Sequence, residues 1–120
     1  MSVNKKLTLS KYSRILAIIV SMTAGNTINI AEARQLDAGF ILNEMEPKQQ
    51  HSFVIGIVEG LAYSRFLKER PDETGMSCVQ NWIYKDTAMR WKEINVFFRK
   101  HLTKPPTTLL HHMIKKECGE

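Results

Sequence analysis

At 120 residues and 13.8 kDa the chain is long enough for one domain, and 43% hydrophobic with 24% charged residues is a globular composition that excludes wholesale disorder. The formal charge of +5 is concentrated at the start: Lys5, Lys6, Lys11 and Arg14 precede residue 34, with Glu32 the one acid there. Residues 34–120 keep 13 basic and 11 acidic side chains, a net of +2, with no Arg/Lys stripe interleaved with aromatics, so nucleic acid is not a predicted partner.

The N-terminal 33 residues have the order of an export signal. Four positive charges in residues 1–14 are followed by 11 apolar or small residues (ILAIIVSMTAG, 15–25) and then by Ala31-Glu32-Ala33, with small residues at both positions a signal peptidase reads. A lasting membrane span needs about 20 apolar residues, whereas Asn26, Thr27 and Asn29 interrupt this one early. Cleavage after Ala33 would release an 87-residue helical domain, 34–120, into the periplasm with no membrane span. The competing readings are a buried or amphipathic N-terminal helix and an uncleaved anchor. No Cys stands at the end of the apolar stretch, so a lipid anchor is not predicted.

Along the remaining chain, Leu36, Phe40, Ile41 and Met45 recur at helical spacing, and Glu46-Pro47 closes that helix and opens the next with proline in its first turn. A long helix is expected from Pro47 to about Glu69, with Phe53, Gly56, Ile57, Gly60, Leu61 and Ser64 on one stripe. Each glycine costs about 1 kcal/mol relative to alanine inside a helix. Two of them four residues apart therefore point to a packing role for Phe53, Gly56 and Gly60, either against another helix of the same chain or against a partner. Residues 70–75 (RPDETG) are polar and contain both Pro and Gly, which marks a connection. A third helix is expected over 76–85 with Cys78, Trp82 and either Ile83 or Tyr84 facing inward. Asp86 or Thr87 can cap a fourth, whose stripe is Trp91, Ile94, Phe97 or Phe98, and Leu102. Adjacent residues cannot be equally buried on a helix, so one of Phe97 and Phe98 belongs at an edge. Pro105-Pro106 ends that helix, and a final one carries Leu110, Met113, Ile114 and Cys118. The predicted fold is all-α, a compact bundle of four to five short helices.

Cys78 and Cys118 are the only cysteines, and both follow the leader. An oxidising compartment would join them. Closing a loop across 40 positions is worth roughly 3–4 kcal/mol in the chain-entropy model, a large share for so small a core. No CxxC, HExxH or zinc-finger spacing is present, and neighbouring His111 and His112 point about 100° apart on a helix. No close carboxylate pair and no Gly-rich phosphate loop occurs. Neither catalytic residue, metal ligand nor cofactor is predicted. The expectation is a binding protein, with Asp72 and Glu73 in the polar connection and Trp82 and Tyr84 on the third helix as candidate partner-binding residues.

FVIGIVEGLAYSRF (53–66), GMSC (75–78), WKEINVFFRKHLTKPP (91–106) and LLHHMIKKEC (109–118) together resemble the Tai-type immunity-protein family. These are small exported helical proteins that protect bacteria against peptidoglycan amidase toxins delivered by type VI secretion. Phe53, Gly56 and Gly60 match the family's aromatic-x-x-Gly-x-x-x-Gly helix, Cys78 its central cysteine, Pro105 its proline turn and Cys118 its last cysteine. Glu117 stands where the family usually has proline. The resemblance implies occlusion of an amidase cleft by a homodimer or an inter-helix loop. The alternatives are a periplasmic acid-stress chaperone and a structural envelope protein.

Overall fold

A computed structural model describes residues 36–120, and the predicted signal segment lies outside the described residues. Five helices follow one another: α1 (Ala38–Glu44), α2 (Pro47–Glu69), α3 (Thr74–Tyr84), α4 (Thr87–Lys100) and α5 (Pro106–Cys118). No strand occurs among the described residues, which form one compact unit.

The boundaries follow from local chemistry. Asp37 caps α1 by accepting the Phe40 amide at 2.8 Å, and Asp86 caps α4 by accepting that of Met89 at 3.0 Å. Pro47 and Pro106 occupy the first turns of α2 and α5, where a missing N–H costs nothing. The free N-terminal amides of α1 are taken up by the α4–α5 connection: Ala38 N donates to Lys104 O at 3.0 Å and Gly39 N to Leu102 O at 2.8 Å. A Cβ on Gly39 would stand 3.2 Å from that Leu102 oxygen, so this is one glycine where backbones do approach closely.

The core is built from Ala38 and Ile41 of α1, Val54, Val58 and Ala62 of α2, Val79, Trp82 and Ile83 of α3, Ile94 and Phe98 of α4, and Leu109, Leu110 and Ile114 of α5. α2 and α3 make the most extensive helix pair. The stripe that α2 buries is Val54-Val58-Ala62, with Phe53, Ile57 and Leu61 partly buried at its edges. This corrects the expectation for Gly56 and Gly60. Both are exposed, and a Cβ at either would meet nothing within 4 Å. The physical reason is that apolar residues run almost all the way round α2, including exposed Tyr63 and Leu67, so spacing alone does not choose the buried phase. Valine then wins, because it removes apolar area from water and glycine has none to remove. Gly75, at the start of α3, is the buried glycine, and a Cβ there would meet the side chains of Arg65 and Glu69 that lie across it.

α4 ends at Lys100, earlier than the expected stripe, and Leu102 lies exposed in the connection beyond it. Phe98 takes the core position and Phe97 the edge. Among the described residues, no helix is long and apolar enough to cross a membrane.

The Cys78–Cys118 disulfide is formed, with Cα atoms 5.8 Å apart. It ties the middle of α3 to the last turn of α5. Arg65 reinforces the same closure. Its Nη1 donates to Cys118 O and Gly119 O at 2.9 and 2.8 Å, while its Nε pairs with Glu69 at 2.6 Å. The carbonyls left free at the end of α5 thus gain a charged donor from α2.

Candidate functional site

The connection between α2 and α3 is exposed over its whole length: Arg70, Pro71, Asp72, Glu73 and Thr74 all face water. It is nevertheless fixed locally. Asp72 N donates to Glu69 O at 3.1 Å, and Asp72 Oδ1 accepts the Thr74 amide at 2.9 Å, the pattern by which an Asp side chain imitates a turn. Hydrogen bonds from Thr74, side chain first and backbone amide second, hold the Asp72 carboxyl below its ordinary value. Asp72 therefore presents an ionised group at a defined place on the surface.

From that turn one face of α3 runs to its far end. Glu73, Ser77, Asn81 and Tyr84 are all exposed and are spaced so that they fall on one side of the helix. The distance along the axis from Glu73 to Tyr84 is about 16 Å at 1.5 Å per residue, well inside the span of an ordinary protein–protein contact. Tyr84 is 51% exposed, yet its hydroxyl is not loose: it donates to Glu59 of α2 at 2.6 Å, and Gln80 donates to the other oxygen of Glu59 at 3.3 Å. That hydrogen bond to Glu59, with smaller contributions from desolvation and the Glu59 charge, raises the pKa of the phenol.

Trp82 does not belong to this surface. At 5% exposure it is a core residue, facing away from Tyr84 and Ser77, and the expectation that it meets a partner is corrected. Two residues along a helix turn a side chain by about 200°, so Trp82 and Tyr84 could not share a face. Trp82 also anchors an ionic cluster that the sequence did not suggest. The Arg90 guanidinium lies 4.6 Å from the centre of the indole ring, donates to Trp82 O at 2.9 Å, and pairs with Glu93 at 2.6 Å and with both oxygens of Glu117 at 2.9 and 3.1 Å. The Glu117 that departs from the Tai-type pattern is thus half of an ion pair joining α5 to α4. Hidden spacing explains the omission, since Arg90 and Glu117 are 27 positions apart.

The histidines do not assemble into a site. His51 packs against Trp91 with ring centres 5.5 Å apart, and Phe97 lies between His101 at 4.6 Å and His112 at 5.8 Å. His111 is exposed. Among the described residues, no group of three His, Cys, Asp or Glu side chains is placed to hold a metal ion. The disulfide occupies both thiols.

The chain matches no protein-family model, no curated protein and no solved structure.

Proposed function

We propose that this chain is an exported helical binding protein that works by contact with another protein, and that it inhibits a cell-wall amidase in the manner implied by its resemblance to the Tai-type family. The observation that carries this reading is the continuous exposed face from Asp72 and Glu73 to Tyr84. Two carboxylates stand at one end and an aromatic ring at the other, on a helix locked at its middle by the disulfide. Tyrosines are enriched where proteins bind one another, because the ring supplies contact area at a low entropic cost. A cleft that binds anionic peptidoglycan stems with cationic or polar groups would accept the acidic turn as a plug. The disulfide supports export, since such bonds persist in oxidising compartments.

The test is affinity capture of the whole chain, tagged at its C-terminus and produced in bacteria with its leader, from the envelope fraction. Recovery of a stoichiometric peptidoglycan amidase that is lost on Asp72→Lys/Glu73→Lys substitution supports the proposal. Capture of many unrelated proteins, increasing as the pH falls, would instead favour the acid-stress chaperone.

A further inference from the structure

A second surface lies apart from the α3 face and owes nothing to the amidase reading. Between α4 and α5 runs a groove of about 450 Å³ whose lining includes apolar Val96, Phe97 and Met113. Val96, two residues from both buried Ile94 and buried Phe98, points away from the core and is 49% exposed. Lys92, Lys100 and Lys116 line the same groove. All three are exposed, and none has a carboxylate within ion-pair distance among the described residues. Arg90 at one end of the groove is paired with both Glu93 and Glu117, so that end is occupied by an internal ion-pair cluster, while the three lysines keep the lining as a whole net positive.

We propose that this groove binds an acidic amphipathic helix of a partner protein, its apolar side on Val96, Phe97 and Met113 and its carboxylates on Lys92, Lys100 and Lys116. Lys92, Val96 and Lys100 are spaced four apart along α4 and so form one stripe about 12 Å long. That length matches two turns of a docked helix, which would present apolar side chains at i, i+3 or i+4, and i+7. A small apolar ligand fits less well. Such ligands are enclosed over roughly 70–90% of their surface, and this groove leaves Val96 half open to water. A nucleic-acid backbone has no apolar face to lay on Val96, Phe97 and Met113.

The experiment uses the oxidised whole chain, labelled with nitrogen-15, and two synthetic helical peptides of about four turns. One peptide carries Leu along one face flanked by Glu; the other has Lys in place of each Glu. The Glu peptide is expected to shift amides in 90–100 and 112–117, with an affinity that weakens as salt rises. Lys92→Glu/Lys100→Glu/Lys116→Glu should weaken it about tenfold or more. The single changes Lys116→Glu and Val96→Asp should each weaken it several-fold, and Lys48→Glu at the start of α2 should leave it unchanged. Equal binding of the Lys peptide, shifts confined to other helices, or binding of phosphatidylglycerol vesicles while the Glu peptide causes no shift would each overturn the proposal.

Discussion

Asp72 and Tyr84 mark the two ends of the candidate contact face, and each is tied to a neighbour that biases its ionisation. Hydrogen bonds from Thr74 lower the Asp72 pKa, so the folded state favours the carboxylate. Its contribution to the turn is fully present above the ordinary value of 3.8 and is lost as pH falls through the lower folded value. For Tyr84 the sign is opposite. The bond to Glu59 raises its pKa, so the stabilisation is complete below the ordinary value of 10.0 and disappears as pH rises through the folded value. A carboxyl-detected titration should find Asp72 ionising below free aspartate, and a near-ultraviolet absorbance titration should find Tyr84 ionising after a free tyrosine. Replacing Thr74 with Ala should return Asp72 toward its ordinary value, and Glu59→Gln should do the same for Tyr84. The same bonds mean that both residues are presented in fixed positions, which lowers the ordering cost of a contact made through them.

At the scale of the helices, the two glycines of α2 give a clean discriminating case. Nothing lies where their Cβ atoms would be, so Gly56→Ala and Gly60→Ala should each stabilise the chain by about 0.5–1 kcal/mol through helix propensity alone. Phe98→Ala, which empties a fully buried position on α4, should cost about 3–5 kcal/mol. Urea denaturation with unchanged slope checks both. Destabilisation by the alanines would mean that the glycine face is packed after all. Helix positions were legible in the sequence because prolines and an Asp cap punctuate the chain: Pro47 opens α2, Asp86, one of two candidate caps, opens α4, and Pro105-Pro106 separates α4 from α5. The phase of α2 was not legible, because Ile55, Tyr63, Phe66 and Leu67 continue the apolar character round the helix beyond the Phe53-Val54-Ile57-Val58-Leu61 side, and only the packing of α3 against it decides which residues are buried. On α3 the periodicity identified Trp82 as inward-facing, and that inward position is what removes it from the contact face. Asp72, Glu73 and Tyr84 remain. The adjacency of Phe97 and Phe98 requires one ring to stand at an edge, but the groove it lines depends on where α5 comes to rest beside α4, a relation between residues such as Val96 and Met113 that no local pattern encodes.

For the molecule as a whole, the disulfide and the Arg65 and Arg90 clusters perform one task, holding α5 onto the bundle from both sides. Arg65 reaches its last carbonyls from α2, Arg90 reaches Glu117 from α4, and Cys78 bonds Cys118 from α3. Replacing both cysteines with serine should lower stability by roughly 3–4 kcal/mol, measured by denaturation of the oxidised protein against the variant. A loss near zero would show that the two arginines suffice. A small bundle fastened in this way keeps the α3 face and the α4–α5 groove in fixed relation to its own core, so a partner meets a preformed surface. The measurement that bears most directly on the proposed inhibition is the release of stem peptides from purified peptidoglycan by the amidase recovered with this chain, as the oxidised protein is titrated in. The account predicts complete inhibition at one equivalent and its loss with Asp72→Lys/Glu73→Lys; undiminished hydrolysis at large excess of the unaltered protein would contradict it.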